Sequence, residues 1–159
     1  MAPERGPGEE GPAPLAVFRR RRRVVERDLD DLDHVNNVVW LRFVMELAGA
    51  HSEAVGLDLE TLRGLGGVWV VQRHELDYHR PAGLGEEILE ETWIARMGGA
   101  RSVRHARLSS LCEGTAFLSV RTSWAFVDPV TGRPRRLPRT VLERFVSLEE
   151  PPPLPEATS

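Results

Sequence analysis

Cysteine is almost missing from this chain of 159 residues: the single thiol, Cys112, excludes an internal disulfide and suits a reducing compartment. No run of about 18 apolar residues occurs, so no segment is expected to cross a bilayer as a helix. Neither sign of charge dominates. The 21 basic and 24 acidic side chains leave a formal charge of -3, which offers no general attraction to nucleic acid or to an anionic membrane. The opening "MAPERGPGEEGPAP" has no apolar stretch of the kind a secretory signal needs, and a cytoplasmic setting is expected. Several catalytic signatures are missing too. There is no HExxH, no paired cysteines and no GxSxG, and the "GLGG" at Gly64–Gly67 lacks the third glycine of a dinucleotide loop. No cofactor and no metal are expected.

What is present fits one soluble domain: 41% of the residues are apolar and 28% are charged. Residues 1–14 and 146–159 are rich in Pro, Gly and Glu. With so little to bury, both are expected to be disordered tails around a folded unit spanning 15–145. The first element, "LAVFRRRRRVVERDL", carries five consecutive arginines at Arg19–Arg23. A nucleic-acid patch is one reading. No aromatic platform stands beside the run, and a strand edge whose arginine stems cover apolar surface is the preferred one.

From Asn37 the run "NVVWLRFVMELAGAHSEAVG" predicts a helix ending at Gly56. Val38, Val39, Trp40, Leu41, Phe43, Val44, Met45, Leu47 and Ala48 cover nearly every direction of its wheel, so the helix is expected to be buried on most sides. After Gly66-Gly67 the pattern turns to strands. "GVWVVQRHELDYH", "EEILEETWIARM", "ARSVRHARLSSL" and "TAFLSVRTSWAFV" follow one another with turn signals between them, and "RTVLERF" ends the unit as a short helix. One strand, one all-round apolar helix and four further strands make an α+β fold with one economical solution, in which the antiparallel sheet curls around the helix. Five strands cannot close a barrel around a helix, so an edge or outer face is expected to recruit a second subunit.

The densest chemistry lies in "RDLDDLDHVNNVVW", where Asp28, Asp30, Asp31 and Asp33 precede His34, Asn36 and Asn37 and then the helix. A calcium loop fails on counting: from Asp28 the sixth position is Asp33 rather than glycine, and the twelfth is Val39 rather than glutamate. A metal held by Asp30, His34, His74 and His79 has no supporting spacing. Cys112 sits in a turn beside Glu113 with no adjacent base, as an inert thiol would. Two readings remain. Carboxylates before a helix start interact favourably with its positive end, by about 0.3–1 kcal/mol each. Four within six residues repel one another, as acids gathered for catalysis do. The pattern serves a cap and an active site equally well.

Asp28-Leu29-Asp30, followed after three residues by His34-Val35-Asn36-Asn37 and the apolar helix, resembles the D-x-D-x-x-x-H-V-N-N signature of the hot-dog-fold thioesterases. The similarity is to the 4-hydroxybenzoyl-CoA thioesterase-like and acyl-ACP thioesterase-like branch. "LDYHRPAGLGEEI", with Tyr78, Arg80 and Pro81, and "FVDPVTGRPRRLP" resemble later family segments in the expected order. The resemblance implies a sheet wrapped around one long helix, and a homodimer or dimer-based tetramer with sites at the subunit boundary. It implies hydrolysis of an acyl-CoA thioester, with an acyl-ACP substrate or a non-catalytic acyl-thioester-binding role as alternatives.

The matched catalytic carboxylate is Asp30. His34 matches the histidine of the plant acyl-ACP branch, while the asparagine of that branch is replaced by Leu32, and the glycine bacterial relatives often carry before the histidine is replaced by Asp33. Backbone amides around Val35–Val38, with Asn36, are expected to polarise the thioester carbonyl. Asn37, Tyr78 and Arg80 are expected at the substrate. Arg101 and Ser102 follow the Gly98-Gly99 turn where family members often contact the nucleotide, with Arg133, Arg135 and Arg136 as alternatives for the coenzyme A phosphates. Trp40, Val44 and Trp69 are candidates to line the acyl pocket.

Overall fold

The computed structural model describes residues 12–157 of the chain. The expectation of a disordered N-terminal tail falls, for residues 1–11, outside the described residues. The elements run β1 Val17–Arg23, a single 3-10 turn at Glu26–Asp28, α1 Asn37–Ala54, α2 Leu59–Gly64, β2 Val68–Tyr78, β3 Glu87–Gly98, β4 Arg101–Ser110, β5 Ala116–Val127 and α3 Arg139–Leu142. All five strands form one antiparallel sheet in the order β1-β3-β4-β5-β2, wrapped around α1. This is the hot-dog arrangement. The short α2 is an element the sequence reading did not anticipate; Asp58 starts it by accepting the Thr61 amide at 2.7 Å.

The sheet order differs from a run of four consecutive hairpins in one respect. β3, β4 and β5 are joined by tight turns, but β2 pairs with β5 and not with β3, so the segment after Tyr78 recrosses the sheet. β1 and β2 are therefore the two edges. The inner face packs on α1 in two clusters. Trp40, Phe43, Val44 and Leu47 meet Ile88, Leu108, Phe117 and Val120 beneath the first half of the helix. Val55, Leu57, Leu62, Ile94, Phe126 and Phe145 form a second cluster past its end. Full burial of a side chain of this size stabilises by about 1.5–3 kcal/mol, so these clusters carry the fold. Gly67 is required where it stands, because a Cβ there would meet the Phe126 ring at 2.2 Å.

The helix is not buried on most sides as its composition suggested. Val38 is 74% exposed, Met45 is partly exposed and Leu41 is half-buried, which leaves an open apolar stripe along one face. The arginine run of β1 alternates across the sheet. Arg20 and Arg22 reach inward to the fully buried Glu90, the latter through Nε at 2.7 Å, while Arg19 reaches outward to Glu91 at 2.8 Å. The Arg22 guanidinium also lies 4.0 Å from the centre of the Phe43 ring. The segment 146–157, expected to be a disordered tail, has a defined course over the outer face. The Leu148 amide donates to Ile94 O at 2.8 Å, and Arg107 donates to the carbonyls of Pro152 and Pro153, each at 2.9 Å. No helix among the described residues is long and apolar enough to cross a membrane.

Candidate active site at the start of the central helix

The aspartate cluster folds into a tight loop closed by a bridge between Leu29 and Val35. Inside it the Asp30 amide donates to His34 O at 2.8 Å and the Asp33 amide to Asp30 O at 3.0 Å. Asp33 stands at φ 59°, a left-handed conformation that glycine adopts freely and aspartate tolerates better than most residues.

The two acids of the Asp28-Leu29-Asp30 triplet have different environments. Asp28 is buried; its Oδ2 accepts the Val25 amide at 3.0 Å and its Oδ1 accepts Arg42 Nη2 at 3.1 Å. Asp28 O also accepts the Asn36 amide at 2.9 Å, tying the loop to the helix start. Asp30 is half-buried, and its Oδ1 accepts the amides of Leu32 at 2.9 Å and His34 at 3.3 Å. Asp30 Oδ2 has no hydrogen bond among the described residues. The His34 ring is exposed and likewise makes none.

Asn36 caps α1, its Oδ1 accepting the Val38 amide at 2.9 Å. The Val38 amide is therefore committed within the chain. The amides of Asn37 and Val39 have no acceptor among the described residues, which leaves them as the orphan donors at the positive end of the helix. Tyr78 joins this end from β2 by donating its hydroxyl to Asn37 O at 3.1 Å, and partial burial raises its pKa and keeps the phenol protonated. Arg80 pairs with Glu113 at 2.8 Å, its guanidinium 4.3 Å from the centre of the Phe117 ring.

The other expected residues lie apart from this loop. His74 bonds Thr122 Oγ1 and His79 bonds Ser119 Oγ, each at 2.9 Å, and no group of three His, Cys, Asp or Glu side chains among the described residues is arranged to hold a metal. Arg101 and Ser102 point to opposite sides of β4. Arg101 is exposed and donates to Gln72 Oε1 at 3.2 Å, whereas Ser102 is buried against the second half of α1. Trp40 and Val44 belong to the core cluster; Trp69 lines a cavity of about 280 Å³ together with Met45, Gly49, Ser102 and Arg104.

Arg104 escaped the sequence reading, though its signal was present: it sits in phase with Ala106 and Leu108, both inward-facing. Only 6% exposed, it donates through Nη1 to His51 Nδ1 at 2.9 Å and Thr92 Oγ1 at 3.1 Å. His51 also contacts Leu15 O at 3.2 Å through Nε2, so Nε2 carries the proton and Nδ1 accepts from the guanidinium. Burial, with the adjacent cation, lowers the His51 pKa to about 4, and burial lowers that of Arg104 to about 10.

Comparison with known proteins agrees with the fold and the family. No curated protein sequence matches the chain significantly. Among solved structures, a 1,4-dihydroxy-2-naphthoyl-CoA thioesterase from Synechocystis superposes with a TM-score of 0.75 at 18% identity, covering 85% of this chain and 99% of that one. A probable thioesterase from Bartonella henselae gives 0.70 at 23% identity over 77% and 100% of the two chains. The 12:0-ACP thioesterase from Umbellularia californica gives 0.73 at 19% identity over 84% of this chain and 55% of its own. The family model of the thioesterase-like superfamily matches residues 24–157, which include the aspartate loop, the central helix and strands β2–β5. The chain therefore belongs to the thioesterase-like superfamily, a hot-dog fold whose chemistry is thioester hydrolysis.

Proposed function

We propose that the chain hydrolyses acyl-coenzyme A thioesters at the start of α1. The observation that carries this reading is the pairing of an uncommitted Asp30 Oδ2 with a helix start whose Asn37 and Val39 amides have no acceptor among the described residues, the two held together by the Leu29–Val35 bridge. The thioester carbonyl oxygen accepts from these amides, which stabilise the negative charge that develops on it. Asp30 takes the proton of the attacking water, or attacks the carbonyl itself to give a mixed anhydride that water then opens. The thiol of coenzyme A leaves and the acyl group departs as the free acid. His34 orients the water. Asn36 fixes the helix start, and Tyr78 holds Asn37 O, keeping the donor end in register.

The pantetheine carrier ends in phosphates that suit arginine forks, and the exposed Arg101 is the first candidate, with Arg133, Arg135 and Arg136 next to it in preference. β2 offers an unpaired edge and α1 an open apolar stripe, which support a homodimer or dimer-based tetramer. The exposed thiol of Cys112 suits a cytoplasmic setting.

The test is release of free thiol from straight, branched and aromatic acyl-coenzyme A thioesters, each paired with the same acyl group on acyl carrier protein. At least one coenzyme A ester is expected to turn over with kcat/KM of about 10⁴ M⁻¹ s⁻¹ or more. Turnover confined to carrier-bound esters would assign the protein to that substrate instead, and binding without turnover would make it a non-catalytic acyl-thioester module.

A further inference from the structure

The cavity beside the second half of α1 has a composition that an apolar acyl chain alone does not explain. Its walls are mainly apolar, with Met45, Leu57, Trp69 and Ile94 among them, yet three residues with polar side-chain groups on the inner face of β4 and β5, Ser102, Arg104 and Trp124, line it as well. Ser102 and Trp124 are cross-strand partners, and Arg104 lies two residues further along β4. Ser102 Oγ and Trp124 Nε1 are buried without a hydrogen-bond partner. Arg104 has no carboxylate within 4.0 Å among the described residues, and only its Nη1 is hydrogen-bonded. An indole N–H and a guanidinium can only donate, and a hydroxyl donates as well as accepts. A buried set of donors of this kind costs stability unless an acceptor meets it.

The open stripe of α1 connects this cavity to the candidate active site. Val38, Leu41, Met45 and Gly49 succeed one another at helical spacing, and Val38 to Gly49 spans roughly 16 Å at the rise of an α-helix. A chain whose thioester sits at the helix start and which runs along this stripe brings its far end to Arg104.

Resting on the thioesterase reading above, we propose that this cavity receives the distal end of the acyl chain and that the end carries a carboxylate, so that the preferred substrates are ω-carboxyacyl thioesters. The carboxylate accepts from the free edge of Arg104 and from Ser102 Oγ and Trp124 Nε1. Charge-assisted bonds in a mainly apolar pocket then select such substrates over plain chains of equal length. Glu53 and Asp58 also line the cavity, but Asp58 is engaged by the Thr61 amide, and neither lies within ion-pair distance of Arg104.

The experiment compares dodecanedioyl- with dodecanoyl-coenzyme A, and shorter and longer pairs, as substrates of the wild type, Ser102→Ala and Arg104→Met. Binding of the free acids, dodecanedioate and dodecanoate, is measured in parallel by calorimetry. The wild type is expected to favour the ω-carboxy ester by about tenfold or more in kcat/KM. Ser102→Ala is expected to reduce that preference by roughly fivefold, and Arg104→Met to reverse it towards the plain chain. Should Arg104→Met fail to fold, Ser102→Ala and Trp124→Phe carry the test. Tighter binding of dodecanedioate than dodecanoate, weakened by Ser102→Ala but with no thioester hydrolysed, would support this pocket and overturn the thioesterase reading. Equal kcat/KM for both esters, with dodecanedioate bound no more tightly than dodecanoate, would overturn the pocket and leave the hydrolase standing.

Discussion

Arg104 and Arg107 sit three residues apart on β4, on opposite faces of the sheet and almost equally buried, but the chain treats them differently. Arg107 is well partnered, with four hydrogen bonds: Nε and Nη2 donate to Glu91 Oε1 at 3.1 and 2.7 Å, and the carbonyls of Pro152 and Pro153 take Nη1 and Nη2. Arg104 meets a neutral imidazole and a hydroxyl, with the Phe145 ring 5.9 Å away, and no carboxylate among the described residues. Removing a guanidinium from water is costly unless a carboxylate or a full set of acceptors compensates it. The outer face supplies those partners from the chain itself. The inner face, beside a cavity, does not. One arginine serves the fold and the other is left for a ligand.

The comparison breaks most severely at Glu91. Glu91→Gln leaves Arg107 buried and Arg19 without its partner, and is expected to cost about 3–5 kcal/mol in chemical denaturation. A loss below about 1 kcal/mol would mean that the proline carbonyls alone suffice.

Acid sharpens the difference from the other side. His51 is neutral in the fold, with its pKa lowered to about 4, whereas the unfolded chain titrates near 6.5. The unfolded state therefore binds more protons between these values. Stability from this group is full above about pH 6.5 and falls as pH drops towards 4, by at most about 3 kcal/mol. Denaturation curves of the wild type and His51→Phe across that window should differ in slope; parallel curves would show that His51 is not held neutral.

The smallest effect is expected at Arg104. Arg104→Met removes a cation that no carboxylate compensates and leaves the buried His51 Nδ1 without its donor, two effects of opposite sign, while Thr92 keeps its own bond to His105 O at 2.7 Å. Stability should change by less than about 1 kcal/mol, against several for Glu91→Gln. A loss as large as that of Glu91→Gln would make Arg104 a structural residue like Arg107.

The contrast also marks what the sequence made legible. The wrapped sheet followed from nine apolar residues around one helix flanked by strand patterns, and the family from the Asp28-to-Asn37 spacing, because both are written in consecutive residues. The placement of β2 at the far edge, beside β5, was not, since local alternation says nothing about which strands pair. The course of residues 146–157 escaped because proline-rich composition carries no periodicity; what holds the segment is Arg107, some 45 residues earlier. In the candidate site, the motif put Asp30 and Asn36 beside the helix start; Tyr78, expected at the substrate, bonds Asn37 O there. That Val38's amide is committed to Asn36 depends on backbone geometry, and the solitude of Arg104 depends on which acids the fold keeps away from it.

Hydrolysis at the helix start depends on Asp30, and the decisive measurement is thiol release by Asp30→Asn. The asparagine keeps an oxygen for the Leu32 and His34 amides, so the loop and the thermal midpoint should be retained. We predict that kcat on the best acyl-coenzyme A ester falls by about a hundredfold or more. A folded Asp30→Asn protein with kcat within a few-fold of the wild type, the scale of an ordinary surface change, would contradict the assignment.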